Sequence, residues 1–184
     1  MSTRTVSNLK SRLMPLLLTF GLLIADQITK AIVIARMPVG VIYKRFLGDF
    51  IWLVHVRNKG AAFSIGADSS VVMRILVLIL LPLLVMAVVL WAILSSRNIL
   101  NGVQRWFAAG VLGGGLGTLV DRIFRFDEGV VDFISIDFYG FLGLERWPTF
   151  NVSDSCVVVF VILLALSILF EKKETHNDSS KEKN

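Results

Sequence analysis

The stretch VVMRILVLILLPLLVMAVVLWAIL, residues 71–94, decides the fold class of this chain. About 20 helical residues, rising 1.5 Å each, cross the roughly 30 Å hydrocarbon core of a bilayer. The stretch is long enough and apolar enough to do so. Pro82 at its middle bends a membrane helix without excluding one, because neighbouring helices can satisfy the freed carbonyl group. Residues 71–94 therefore predict a membrane-spanning helix.

On either side of this stretch lie three further runs of the same character, Leu13 to Ala35, Trp106 to Phe124 and Val152 to Phe170. The first follows basic residues as a signal peptide does, but it continues past Asp26 and Lys30, so we expect a retained span. The glycines at 113–115 and 117 lie inside the run from Trp106 to Phe124, where small residues favour close helix packing. We therefore expect an all-α membrane protein, with four transmembrane helices in a single domain over residues 1–170.

The composition excludes other classes of protein. Of the 184 residues, 55% are hydrophobic and 18% charged, and the mean hydropathy is +0.72, whereas about 45–50% apolar residues suffice for a soluble core. The net charge of +5 comes mostly from Lys and Arg beside the apolar runs, which indicates lipid headgroups as partners and not nucleic acid. The single cysteine, Cys156, permits neither an internal disulfide nor a cysteine metal cluster. We expect no metal and no organic cofactor.

Between the first two spans, the pattern changes from helix to strand. Val41 to Phe46 and Phe50 to Val56 are rich in β-branched and aromatic residues, and Gly48-Asp49 between them favours a hairpin. Val130 to Ile136 predicts another short strand after the third span. We expect a small sheet at one membrane face, with the first β segment over about residues 41–66. The polar tail 171–184 is predicted to be disordered.

An even number of spans places both termini on one side of the membrane. Arg4, Lys10 and Arg12 precede the first span, which usually sets the orientation. We therefore expect cytoplasmic termini and a sheet on the extracytoplasmic face. The chain contains no internal repeat, which weighs against the duplicated architecture of many transporters.

Charged side chains inside the spans require a structural or functional explanation, because each one raises the free energy of membrane insertion by about 2.5–3.5 kcal/mol at mid-bilayer. Asp26 and Lys30, four residues apart, could neutralise each other. Asp121 and Arg122 could form structural salt bridges, and Asp154 could be a favourable charge at a helix N-terminus. However, the topology brings these groups, together with Asp132, to the outer half of the membrane. That shared depth indicates a hydrated site.

Carboxylates are the groups available for chemistry at that depth. Two close carboxylates share a proton, so that one is an acid while the other is a base towards water, as aspartic hydrolysis requires. Four aspartates are candidates for this pair: Asp26, Asp121, Asp132 and Asp154. The residues alone do not show which two of them form it. A small proton-coupled transporter or a lipid-binding membrane protein is the alternative, since it could use the same carboxylates as a relay.

Five ordered blocks resemble those of the bacterial lipoprotein signal peptidases, the signal peptidase II family. They are Asp26-Gln27-Ile28-Thr29-Lys30, Arg57-Asn58-Lys59-Gly60-Ala61-Ala62-Phe63, Gly117-Thr118-Leu119-Val120-Asp121-Arg122, Val130-Val131-Asp132-Phe133 and Phe150-Asn151-Val152-Ser153-Asp154. Each block alone is weak evidence, but five in order within a four-span chain are specific. Two positions depart from the usual pattern: Thr118 replaces Asn, and Ser153 replaces Ala.

The resemblance implies an intramembrane aspartic endopeptidase of the bacterial inner membrane. Its substrate would be a diacylglyceryl-modified prolipoprotein, cleaved on the N-terminal side of the lipidated cysteine. It implies that Asp132 and Asp154 are the catalytic pair, and that six residues support the site or bind substrate, Asp26, Lys30, Asn58, Asp121, Arg122 and Asn151. It also implies four helices, a small extracytoplasmic sheet and a mobile loop over the site. We expect a monomer that contacts membrane lipids.

Overall fold

A computed structural model describes residues 9–60, 69–97 and 99–181 of the chain. Within these ranges, four helices are long and apolar enough to cross a membrane, Leu9–Arg36, Val71–Leu94, Gly102–Phe124 and Val152–Phe170. All four predicted spans are confirmed. The first and third begin about one turn earlier than predicted, because polar residues at their starts lie outside the apolar pattern but still adopt helical backbone.

Proline shapes the first two spans. In the first, a turn at Met14 and Pro15 separates α1 (Leu9–Leu13) from α2 (Leu16–Arg36). The second consists of α3 (Val71–Ile75), a π-helical turn (Leu76–Leu80) and α4 (Leu81–Leu94). Pro82 lacks an N–H and would crowd the carbonyl four residues earlier. The wider π-helical turn includes residue 78, whose carbonyl Pro82 would crowd in a regular α-helix. The sequence predicted a bend near Pro82 but not a π-helical turn.

The third span, α5 (Gly102–Phe124), is the most buried span and lies at the centre of the bundle. Asn101 and Gln104 start it with a reciprocal capping box. Its glycines allow close packing: a Cβ at Gly114 would lie 2.6 Å from the Ser153 carbonyl oxygen, and one at Gly110 would lie 2.2 Å from Cγ of Phe160. The predicted packing role of the glycine run is confirmed.

The fourth span begins α6, which extends over Val152–Lys181. The sequence predicts a disordered tail from residue 171, whereas the backbone continues as helix to Lys181. Adding one residue to an existing helix costs far less than nucleating a new one, and Glu and Lys, which follow Phe170, are good helix formers. Residues 182–184 lie outside the described ranges.

A three-stranded antiparallel sheet forms in the described part of the chain, in the order β1 (Ile42–Phe46), β2 (Ile51–Asn58) and β3 (Val130–Ile136). All three strands match the prediction closely. The register pairs Val56 with Asp132, which brings the end of β2 beside that aspartate. Val131 and Phe133 pack with Val33 and so fix the sheet to the first span. The end of the predicted β segment, residues 61–66, lies outside the described ranges.

Candidate active site

A buried ion cluster joins the first and third spans. The Lys30 ammonium lies 2.7 Å from Asp26 Oδ2 and 2.9 Å from Asp121 Oδ2, and it also donates to the Gly117 carbonyl at 3.5 Å. All three charged side chains are at most 1% exposed. Arg125 pairs with the other oxygen of Asp121, so the cluster balances two negative charges with two positive ones.

The cluster also fixes the backbone around it. Asp26 Oδ1 accepts a hydrogen bond from the Ser153 amide at 3.0 Å, which holds the first turn of α6 against α2. Asp121 Oδ2 accepts one from the Val131 amide at 3.3 Å, which holds β3 against α5. Gly117 makes this proximity possible, because a Cβ there would lie 2.7 Å from Asp26 Oδ2. The ion cluster therefore sets the position of the two segments that carry Asp132 and Asp154.

Arg122 binds the end of β2. Its guanidinium donates to the Asn58 carbonyl at 3.0 Å and to the Gly60 carbonyl. Asn58 is thereby oriented so that its side-chain oxygen accepts from the Gly60 amide at 3.0 Å, while its Nδ2 donates to Asp132 Oδ2 at 3.2 Å. Arg122 thus bonds two backbone acceptors, as the fixed fork of a guanidinium allows.

Asn151 connects Asp132 with Asp154. Its side-chain Nδ2 donates to Asp132 Oδ1 at 2.7 Å, and its backbone amide donates to Asp154 Oδ2 at 3.1 Å. The Asp154 amide returns a bond to Asn151 Oδ1 at 3.0 Å, which completes a cap at the N-terminus of α6. Both carboxylates are therefore held by a single residue.

Both carboxylates line a cavity of about 430 Å³. Asn58, Arg122 and Thr118 add polar groups to its wall. Thr149 in the loop before α6 also lines it. The remaining wall is apolar and comes mainly from the second span, the loop before α6 and α6 itself, with Val77, Leu78, Pro82, Val130, Trp147, Pro148, Phe150, Val157 and Val158. The cavity therefore combines a polar floor with apolar walls, part of which belong to membrane-spanning helices.

The environment of Asp132 favours its protonated form. The residue is 2% exposed, and this burial raises the pKa of its carboxyl group from 3.8 to about 7. The neighbouring charge of Asp154 adds to the rise, while hydrogen bonds from Asn58 and Asn151 oppose it. A carboxyl group with a pKa near 7 can hold or release a proton under physiological conditions.

The four candidate carboxylates thus separate into two groups. Asp26 and Asp121 are bound by cations in the ion cluster, and Asp132 and Asp154 are bound by Asn58 and Asn151 at the cavity. Asp26 and Lys30 do neutralise each other, and Asp121 does form a structural salt bridge, with Lys30 of the first span. Arg122 binds the backbone carbonyls of Asn58 and Gly60 instead of a described carboxylate.

Three residues near the site were missed by sequence reasoning. Arg125 follows Asp121 by one helical turn, a spacing that could have identified the pair. Gln27 donates to Asp26 Oδ2 and to the Gly117 carbonyl, both at 3.1 Å. Arg74 donates to the Phe126 carbonyl at 2.9 Å and so ties the second span to the turn after α5. Its apolar surroundings in the sequence gave no signal of that partner.

Lipoprotein signal peptidases of other bacteria are similar to this chain. Curated lipoprotein signal peptidases of Treponema denticola and Treponema pallidum are 43% and 39% identical to the chain; the alignments cover 90% and 93% of it, and 94% and 91% of theirs. A bacterial membrane enzyme solved by the in meso method at 2.3 Å resolution has the same fold, with a TM-score of 0.72 and 23% identity, over 88% of this chain and 90% of that one. Residues 18–170 match the family described as signal peptidase (SPase) II. These matches extend over most of the sequence, and the chain therefore belongs to the signal peptidase II family.

Proposed function

We propose that Asp132 and Asp154 form the catalytic pair with which this chain cleaves signal peptides from prolipoproteins. Cleavage of these substrates follows from the family, and the residue roles are our inference. The observation that carries it is the bridge through Asn151, which bonds both carboxylates at the wall of one cavity. Neither carboxylate forms an ion pair with the described side chains, so both are available for proton transfer.

The proposed reaction is hydrolysis by general acid and base catalysis. The ionised member of the pair takes a proton from water while the water oxygen attacks the scissile carbonyl carbon. The protonated member donates to the carbonyl oxygen and stabilises the tetrahedral intermediate. Collapse breaks the C–N bond as a proton moves to the leaving nitrogen. The pKa of about 7 at Asp132 supports a pair that keeps one proton near neutral pH.

The proposed substrate is a diacylglyceryl-modified prolipoprotein, cut on the N-terminal side of its lipidated cysteine. The cavity favours such a substrate because apolar side chains of two spans, Val77 and Leu78 on one and Val157 and Val158 on the other, line it beside the carboxylates. Acyl chains could therefore remain in an apolar environment while the peptide bond reaches the polar floor.

We also propose that the enzyme is a monomer with both termini in the cytoplasm and its site near the extracytoplasmic face of the inner membrane. The basic residues before the first span support this orientation. A reporter that is active only outside the cytoplasm should be silent when it is fused after Asn184. A strong reporter signal would reverse the orientation.

The catalytic assignment is tested with purified protein and a lipid-modified prolipoprotein, by measuring the released signal peptide. Asp132→Asn and Asp154→Asn keep the side-chain volume but remove the ionisable group, so each variant should be nearly inactive. The double variant should be little worse, because residues that act as one unit are not additive.

Asp137→Asn is the matched control, because Asp137 directly follows the strand β3 that carries Asp132 but does not line the cavity. Asp137 accepts from the Tyr139 amide and lies 3.6 Å from Arg146, and an amide oxygen can still accept. This variant should keep most of the activity. Full peptide release by Asp132→Asn or Asp154→Asn would contradict the assignment, and Asp26 and Asp121 would again be candidates for the catalytic residues.

A further inference from the structure

A second cavity shares no lining residue with the first and lies between the first and second spans, toward the end of the bundle that carries the chain termini. Its volume is about 340 Å³. Both α2 and α4 pack on α5 but make few direct contacts with each other, which leaves a groove between them. The groove is lined by Leu16, Thr19, Phe20, Leu83, Met86, Ala87, Leu90, Leu112 and Leu116. Apart from Thr19, whose hydroxyl donates to the Ala109 carbonyl at 2.8 Å, the lining is apolar.

Two arginines, Arg12 and Arg105, lie beyond the lining of this groove on the side of the chain termini. Arg105 precedes Leu112 and Leu116 by 7 and 11 positions in the sequence, spacings that place all three on one face of α5. Arg12 precedes Leu16 by four positions, across the turn at Met14 and Pro15. Its helix α1 contacts α4, which forms one wall of the groove, and the positive charge of Arg12 acts on Arg105. The groove therefore has an apolar body and a cationic end.

Arg105 lacks a counter-ion among the described side chains. It is 3% exposed, and its Nη2 donates to the Ser95 carbonyl at 3.3 Å. Its Nε is buried and has no hydrogen-bond partner in the described part of the chain. A buried charge with a like charge beside it is strongly unfavourable unless an anion compensates it. Within residues 152–170, the part of α6 whose side chains the structure describes, the acidic residue is Asp154, which lines the first cavity.

We propose that this groove binds one anionic phospholipid, with its phosphate at Arg105 and Arg12 and an acyl chain between the first and second spans. Basic pockets between membrane helices suit anionic lipid headgroups. The groove is open to acyl chains, since Phe20 and Leu83 in its wall are 59% and 47% exposed. The bound lipid would fill the space between α2 and α4 and supply the missing anion.

The test measures lipid binding to delipidated protein in mild detergent by native mass spectrometry. The probes are dioleoyl phosphatidylglycerol and dioleoyl phosphatidylcholine, which share acyl chains and differ in net charge. The parent protein should retain one phosphatidylglycerol and bind it more tightly than phosphatidylcholine. A basic residue near an anionic headgroup contributes about 1 kcal/mol, which is about fivefold in affinity.

Three variants and one control separate the headgroup from the acyl chain. Arg12→Gln and Arg105→Gln should each weaken phosphatidylglycerol binding about fivefold and leave phosphatidylcholine binding unchanged. Ala87→Trp, which fills the groove, should weaken both lipids. Arg36→Gln removes an exposed charge at the other end of the first span and should change neither.

The results that would overturn the proposal are equally specific. If the parent binds both lipids with equal affinity, then the groove does not recognise an anionic headgroup. An Arg36→Gln effect as large as that of Arg12→Gln would show diffuse attraction to the surface. Unchanged binding by Ala87→Trp would place the acyl chain elsewhere. If Arg105→Gln does not fold, then Arg12→Gln and Ala87→Trp still decide the outcome.

Discussion

Replacing Lys30 by Met tests how much the buried ion cluster stabilises the fold around the active site. In the parent, Lys30 and Arg125 balance the charges of Asp26 and Asp121. Lys30→Met keeps a side chain of similar length but leaves two buried carboxylates with one cation. Removing one partner from a buried ion pair costs about 3–5 kcal/mol. For a chain of this size, that loss lowers the melting temperature by roughly 6–20 °C.

The assay is thermal unfolding of purified variants in one detergent at one pH. The double variant Asp26→Asn with Lys30→Met leaves only the Asp121–Arg125 pair, which is neutral, and it should be more stable than Lys30→Met alone. Lys44→Met is the control, because Lys44 is exposed and has one cation–π contact with Phe46, worth at most about 1 kcal/mol. A parent-like melting temperature for Lys30→Met, or no recovery in the double variant, would refute the electrostatic explanation.

Four further outcomes follow from the site. Because the pKa of Asp132 is raised to about 7, kcat/KM should fall as the pH rises above about 7 and the pair loses its proton; a flat profile from pH 6 to pH 9 would contradict this. The sign for stability is the same, because the folded protein keeps a proton that the unfolded chain releases, so the free energy of unfolding should decrease between about pH 4 and pH 7. Arg122→Lys should release little signal peptide although the charge is kept, because one ammonium cannot reproduce the two guanidinium bonds to the Asn58 and Gly60 carbonyls; unchanged turnover would mean that charge alone suffices. Thr118→Val removes a hydroxyl at the cavity wall at nearly constant shape. We expect lower activity, because the hydroxyl takes the place of the usual Asn. Unchanged activity and an unchanged melting temperature would show that Thr118 contributes only to packing.

Local patterns were sufficient to predict the elements of this fold. Hydropathy alone predicts the four spans, because a bilayer fixes both the length and the apolarity that a helix needs. The strands follow from β-branched runs beside Gly48. By contrast, the π-helical turn before Pro82 depends on how the surrounding helices accept a bend, which no local pattern specifies.

Partner choice within the site could be predicted only in part. The i,i+4 spacing of Asp26 and Lys30 is enough to indicate their ion pair, because it places both side chains on one face of the helix. The bond from the Ser153 amide to Asp26, however, joins residues that are 127 positions apart in the sequence. Such contacts are set by how the spans pack, and the resemblance to a family indicated their residues but not their bonds.

The type of partner at each aspartate explains why four acidic residues at one depth can have two different roles. A carboxylate bound to a cation is a poor base, because taking up a proton would break the ion pair. Asp26 and Asp121 are in that position, with Lys30 and Arg125 as their partners. The proposed catalytic pair is bound instead by amides, which orient a carboxylate without cancelling its charge, so it can still exchange protons with water and substrate. Exchanging these partners, with a cation beside Asp132 or an amide in place of Lys30, would therefore damage the enzyme in two different ways: the first change would hold Asp132 in its charged form, and the second would loosen the segments that carry both members of the pair.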